Sequence, residues 1–255
     1  MVFQRITLEL EPPVARLTLS HPPLNVIDIS MMEELSAALA DVESRCDITV
    51  LVLAGSEKAF SAGVDVAAHT PDKIEEMLTK FHAVFKALVA SRKVSIAAVR
   101  GHCLGGGAEL AMVCDLVVAA ENSTWGFPEI SLGCFPPVAA TALAALVGQK
   151  RASELILTGR TFDGREATNF GLANYVARPT QVLGKVGDLI ELLKKLSPAA
   201  LAVTKRAIYA WDSMHFDKGL ARAEKVYLEE LMKTEDAREG ITAFLEKRVA
   251  VWRGK

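Results

Sequence analysis

The sequence predicts an α/β fold with a helical C-terminal portion. Three observations carry this: short apolar runs bounded by glycine, proline and small polar residues, stretches between them with apolar residues at helical spacing, and helix signals that dominate from Ala139 onward. Arg5 to Leu10 and Val14 to Leu19 alternate apolar with polar residues about a Glu11-Pro12-Pro13 turn, the pattern of an antiparallel hairpin. Ser30 can cap a helix whose Met31, Leu35, Leu39 and Val42 share one face, and Val50 to Ala54 follows as a buried strand. Lys73 to Val89 repeats the amphipathic helix and Val94 to Val99 the strand. After Gly101 a glycine-rich turn leads into Glu109 to Val113, and Leu116 to Ala119 is the next strand. Ala199 to Trp211, Lys218 to Lys233 and Arg238 to Trp252 read as helices, bounded by Pro198, by Asp212-Ser213 and by a break at Thr234 to Asp236. The chain of 255 residues then divides into a core over 1–195 and a helical region over 196–255 that packs on it or reaches a neighbouring subunit.

A hydrophobic fraction of 51% and a charged fraction of 24% exclude a disordered or fibrous chain. With 29 basic and 31 acidic side chains there is no global positive field, so nucleic acid is not expected as a partner. A local basic stripe from Lys194, Lys195, Lys205 and Arg206 is the one feature that would favour RNA. Cys46, Cys103, Cys114 and Cys134 lack the spacing of a zinc site or a redox pair; they read as small core hydrophobes in a reducing, cytoplasmic compartment. The opening residues contain no apolar core like that of an export signal. The run from Cys114 to Ala120 is broken by Asp115 long before the roughly 20 residues of a membrane span. No metal-ligand cluster is present in the sequence, and neither a metal nor a membrane partner is expected.

Gly105, Gly106 and Gly107 stand between a strand and a helix, where amides free of side-chain cover can meet an oxygen bearing negative charge. The same glycines also read as a tight turn with close packing. The spacing of a dinucleotide-binding fingerprint is not matched. A second loop, Lys58 to Asp65, follows a buried strand and is again built of small residues. If the amides of Ala62 and Gly106 converge, they form a two-donor oxyanion hole, worth about 2.7 to 4 kcal/mol per donor in acyl chemistry. Glu109 and Glu129 complete the set as a general acid and a general base, with the assignment of the two roles open. His69 and His82 read as surface or packing residues.

The segments Ser56-Glu-Lys-Ala-Phe-Ser-Ala-Gly-Val-Asp, His102-Cys-Leu-Gly-Gly-Gly-Ala-Glu-Leu-Ala, Cys114-Asp-Leu-Val-Val-Ala and Gly126-Phe-Pro-Glu-Ile-Ser-Leu-Gly together resemble the enoyl-CoA hydratase/isomerase (crotonase) superfamily. The likeness extends to Pro23-Leu24-Asn25-Val26 and to the run from Arg238 to Arg248. It implies a spiral of ββα turns followed by helices, assembled as a homotrimer or a dimer of trimers. No separate cofactor is implied, since coenzyme A arrives as part of the substrate thioester. Position by position, the resemblance assigns the thioester oxygen to Ala62 and Gly106 and catalysis to Glu109 and Glu129. The acyl-CoA path would run along Asn25, Val26, Ala62, Gly63, Val64, Asp65, Gly105, Gly106 and Pro136. Phe244 and Lys247 match residues that reach coenzyme A, often from an adjacent subunit, although Lys247 equally reads as a solvated charge.

After Glu129 the chain departs from the commoner pattern. Cys134-Phe-Pro-Pro-Val-Ala-Ala-Thr stands where a proline and a glycine-rich turn are usual, which predicts a stiffer, bulkier wall. With Leu24-Asn-Val and Gly63-Val-Asp-Val-Ala-Ala-His, this run is similar to the cyclohexa-1,5-diene-1-carbonyl-CoA hydratases of anaerobic aromatic degradation. A short-chain enoyl-CoA hydratase, or an isomerase using one glutamate, is the alternative. A scaffold that binds acyl-CoA or RNA without turnover is the reading from another class.

Overall fold

The computed structural model describes residues 3–254, with the backbone alone along 210–215. Strands β1 (Ile6–Glu11) and β2 (Val14–Leu19) pair antiparallel, Ile6 opposite Leu19. Helix α1 (Ile29–Ser44) leads to the first full turn of a repeating unit: a long strand, β3 (Val50–Ala54), a short strand, β4 (Ala59–Ser61), and a helix, α2 (Ile74–Ala90). The unit recurs as β5 (Val94–Val99), β6 (His102–Leu104) and α3 (Gly106–Met112). It recurs again as β7 (Leu116–Ala120), β8 (Thr124–Gly126), a 3-10 turn at Pro128–Leu132 and α4 (Pro137–Val147). The long strands and β10 (Tyr175–Ala177) form a six-stranded sheet ordered β1-β2-β3-β5-β7-β10, parallel apart from β1. The short strands form a second sheet, β4-β6-β8-β9, closed by β9 (Phe162–Asp163). This is the ββα spiral that the resemblance implies. Periodicity finds only its long strands, because three residues show no alternation.

Both faces of the large sheet are covered, which is why β3 and β5 read as continuous apolar runs. One face sends Val50, Val52, Ile96 and Val118 against Val186 and Ile190 of α7 (Val182–Leu193). The other places Leu17, Leu51, Leu53, Ala97 and Val117 in the main core with Met31 and Leu35 of α1 and Phe85 of α2. Helix α5 (Gln149–Thr158) and α6 (Gly164–Asn169) connect this core to α7.

Several expectations are corrected. The cap of α1 is Asp28, whose Oδ1 accepts the Met31 N–H at 2.8 Å from an extended backbone, and Ser30 lies inside the helix. Asp212-Ser213 does not break the chain; one helix, α8, runs from Pro198 to Glu229 under a Ser197 cap, since neither residue obstructs helical backbone as proline does. Helix α9 occupies Glu235–Leu245, capped by Thr234, rather than 238–252. It ends because Lys247 turns to φ 55° while the Arg248 guanidinium folds back onto Glu239. Cys46 is exposed, whereas Cys103, Cys114 and Cys134 are buried. The basic stripe does not form, because Lys205 is buried and its Nζ lies 2.8 Å from Asp115 Oδ2. Helix α8 packs on α2 and α4 of its own chain, and α9 lies over the 3-10 turns at Val66–His69 and Pro128–Leu132. No helix among the described residues is long and apolar enough to cross a membrane.

Candidate active site

A cavity of about 260 Å³ opens where successive turns of the spiral present their small-residue loops. Its walls come from the loop after β4, the start of α3, the turn at Pro128–Leu132 and the start of α4, with α2, α8 and α9 closing over them. Of the residues singled out from sequence, it gathers Ala62, Gly63, Val64, Gly105, Gly106, Glu109, Glu129, Pro136 and Phe244. A second cavity of similar volume, lined by Met112, Asp115, Thr141 and Phe216, holds neither glutamate.

Gly105 caps α3 with φ 51°, a backbone that L side chains adopt at a cost, and a Cβ there would stand 2.6 Å from Glu129 Oε1. The missing side chain is what lets Glu129 approach the α3 terminus. Gly106 is as tightly enclosed: a Cβ would meet Val64 Cγ2 and the Phe81 ring at 2.7 Å, so the two loops are in direct contact. Among the described residues the N–H groups of Val64 and Gly106 make no hydrogen bond.

The Ala62 amide is not available as a donor. Its N–H is taken by Leu24 O at 2.9 Å, because the extended backbone of β4 continues into that pairing. Gly63, at φ 106°, then turns the chain, and the next amide, that of Val64, is the one left open. Glycine directly before Val64 is the signal that could have identified this position. Asn25 is a buried clamp rather than a lining residue: Nδ2 donates to Ala59 O and Phe60 O, and Oδ1 accepts from His21 N–H. Val26 accepts from His21 through its carbonyl, and Asp65 caps the turn at Val66–His69 through Ala67 N–H. Neither lines the cavity, and Lys247 is exposed beyond its edge.

Both glutamates lose water, and burial pushes both carboxyls well above the ordinary carboxylate range. They are not equivalent. Glu109 Oε1 accepts the Ala139 N–H at 2.8 Å, and Val138 N–H also lowers its pKa, so the first turn of α4 favours its charged form. Pro137 at the first helical position presents these open amides, which makes the Pro-Pro-Val segment the element that holds Glu109. Glu129 has only its own backbone N–H to favour the charged form: its Oε2 is buried without a partner, and burial and the charge of Glu109 outweigh that help. His69, which reads from sequence as a surface or packing residue, lines the cavity, with burial holding its imidazole below the usual value. Phe81, Cys134, Phe135 and Tyr227 also line it; they reach it from distant parts of the chain and carry no local sequence signal. Among the described residues no three His, Cys, Asp or Glu side chains gather as a metal site.

The chain matches the Enoyl-CoA hydratase/isomerase family over residues 9–255. It is 37% identical over 253 residues to a probable enoyl-CoA hydratase of Rhizobium meliloti, covering 98% of each chain. It is 34% identical over 251 residues to the cyclohexa-1,5-dienecarbonyl-CoA hydratase of Thauera aromatica, covering 98% of this chain and 97% of that one. An enoyl-CoA hydratase crystal structure from Mycobacterium avium subsp. paratuberculosis superposes with a TM-score of 0.89 at 25% identity, over 99% of this chain and all of the other. With two carboxyls and two open amides lining one cavity and a family match over nearly its whole length, the chain belongs to the enoyl-CoA hydratase/isomerase (crotonase) family.

Proposed function

We propose that this enoyl-CoA hydratase-type enzyme adds water to cyclohexa-1,5-diene-1-carbonyl-CoA, giving 6-hydroxycyclohex-1-ene-1-carbonyl-CoA. The reaction class rests above all on one observation, two desolvated carboxyls of unequal environment beside two open amides in one cavity. The thioester oxygen accepts from Val64 N–H and Gly106 N–H, where charge develops when the β carbon is attacked. Glu109, favoured as carboxylate by the α4 amides, takes a proton from water as the hydroxyl bonds to that carbon. Glu129, kept protonated by burial and by its neighbour's charge, returns a proton to carbon. In a simple enoate the α carbon receives it; in the cyclic dienolate the far end of the diene does. Solvent exchange then resets the two carboxyls.

The cyclic acyl group is supported by the Thauera relative and by the Pro136-Pro137 wall, stiff by its two prolines, at the start of the helix that holds Glu109. A short-chain enoyl-CoA is the second reading, favoured by the Rhizobium relative. A homotrimer or dimer of trimers in the cytoplasm belongs to the same proposal; the family resemblance supports the assembly and four free cysteines the reducing compartment. Purified protein offered the cyclic dienoyl-CoA and crotonyl-CoA side by side, with loss of conjugated absorbance followed, should hydrate the cyclic thioester faster. Preference for crotonyl-CoA would remove the cyclic assignment and leave the reaction class standing.

A further inference from the structure

Tyr227 is the one lining side chain that brings a hydroxyl to the cavity from α8. It is 1% exposed, and its ring is fixed edge-on to Phe135, centroids 5.1 Å apart. Among the described residues its hydroxyl meets no oxygen or nitrogen partner, only the weakly bonding Cys134 thiol. A hydroxyl left unmatched away from water costs about 1 to 3 kcal/mol, so a tyrosine here is poorly explained as packing, which phenylalanine would serve better. The other unmatched buried atom of the cavity is Glu129 Oε2. The rest of the cavity lining includes the apolar Val66, Met77, Leu78 and Leu132. Both unmatched atoms line one cavity, where a small oxygen-bearing guest, a water or an alcohol, can accept from the tyrosine and donate to a carboxyl oxygen.

We propose that Tyr227 is a positioning residue for hydration: its hydroxyl holds the oxygen that is added to the acyl group, as water before the step and as the product's new hydroxyl after it. This rests on the hydratase reading. Burial and the surrounding acidic groups keep the phenol protonated, so Tyr227 donates to that oxygen and takes no part in the proton transfers between water, the glutamates and carbon. A saturated or unhydrated acyl chain offers Tyr227 nothing, whereas the hydroxylated product does. The site therefore distinguishes two thioesters of one carbon skeleton by a single oxygen.

The test is Tyr227→Phe, which keeps the ring against Phe135. Binding of 3-hydroxybutyryl-CoA should weaken about tenfold while that of butyryl-CoA stays within about twofold. The kcat for crotonyl-CoA hydration should fall at least tenfold with KM little altered. On the unmodified protein, 3-hydroxybutyryl-CoA should bind more tightly than butyryl-CoA, a comparison that needs no variant to fold. Equal affinities there, or equal weakening of both thioesters in Tyr227→Phe, would overturn the role. If the unmodified protein hydrates neither crotonyl-CoA nor the cyclic dienoyl-CoA, the hydratase reading fails with it. If it hydrates one of them and Tyr227→Phe does so unaltered, only the tyrosine's role falls.

Discussion

Glu109 and Glu129 bring two carboxyls into one cavity, and their environments differ. A carboxyl whose folded-state pKa lies above its unfolded value of 4.5 weakens the fold as pH rises, because the unfolded chain releases its proton while the folded chain holds on to it. Below about 4.5 both states are protonated and the difference vanishes; it grows with pH until the raised folded-state values are passed. Glu129→Gln, which mimics the protonated form, should therefore melt above the unmodified protein at pH 9 and together with it near pH 4.5. A gap independent of pH would mean that Glu129 ionises like an exposed acid. In turnover, Glu109→Gln and Glu129→Gln should each lose about 10² to 10⁴ in kcat while retaining affinity for a saturated acyl-CoA. Both glutamates are legible in the sequence, because each closes a short run of small or rigid residues. Their division of labour is not, since the amides that favour Glu109 as the charged member come from Val138 and Ala139, on another element. Ala62 fails for a related reason: whether an amide is open depends on its strand partner, here Leu24.

At the scale of elements, small residues let turns of the spiral approach each other, and buried polar ties fix the helices laid over them. Lys205 of α8 donates to Asp115, to Lys93 O and to Leu88 O, while Ser95 donates to the same Asp115 oxygen through its N–H and its hydroxyl. The knot joins α8 to the end of α2 and to the strands β5 and β7. With its side chain 5% exposed and that of Asp115 13%, the pair is screened little by water. Lys205→Met should cost about 3 to 5 kcal/mol in urea unfolding, mostly because it strands a buried carboxylate, and adding Asp115→Asn should recover much of that loss. Strictly additive losses in the double variant would mean that the two side chains do not interact. None of this is visible in the sequence, where Lys205 reads as part of a basic stripe and Asp212-Ser213 as a break in α8. The long strands and amphipathic helices are legible because burial writes itself into their spacing; three-residue strands and long-range ties leave no such record.

Across the whole molecule, the C-terminal helices close the cavity of the chain that carries them. Tyr227 of α8 and Phe244 of α9 line the same space as Val64, Gly106, Glu109 and Glu129, and α9 rests on the two 3-10 turns that flank it. The resemblance leaves open that Phe244 would serve a neighbour, but this packing places it over its own glutamates. Association of chains would then support the fold and its exposed apolar side chains without completing the acyl site. Two outcomes follow from a site built within one chain. If the chains associate, specific activity should stay constant on dilution through the concentration at which light scattering shows them separating. Mixed assemblies of Glu109→Gln with Phe244→Ala chains should show no more activity than the sum of the separate variants, because no mixed pair rebuilds an intact site. If helices instead cross between subunits, some sites in the mixture regain both residues and activity exceeds that sum. The comparison thus separates a self-contained cavity from a shared one, whatever the acyl group proves to be.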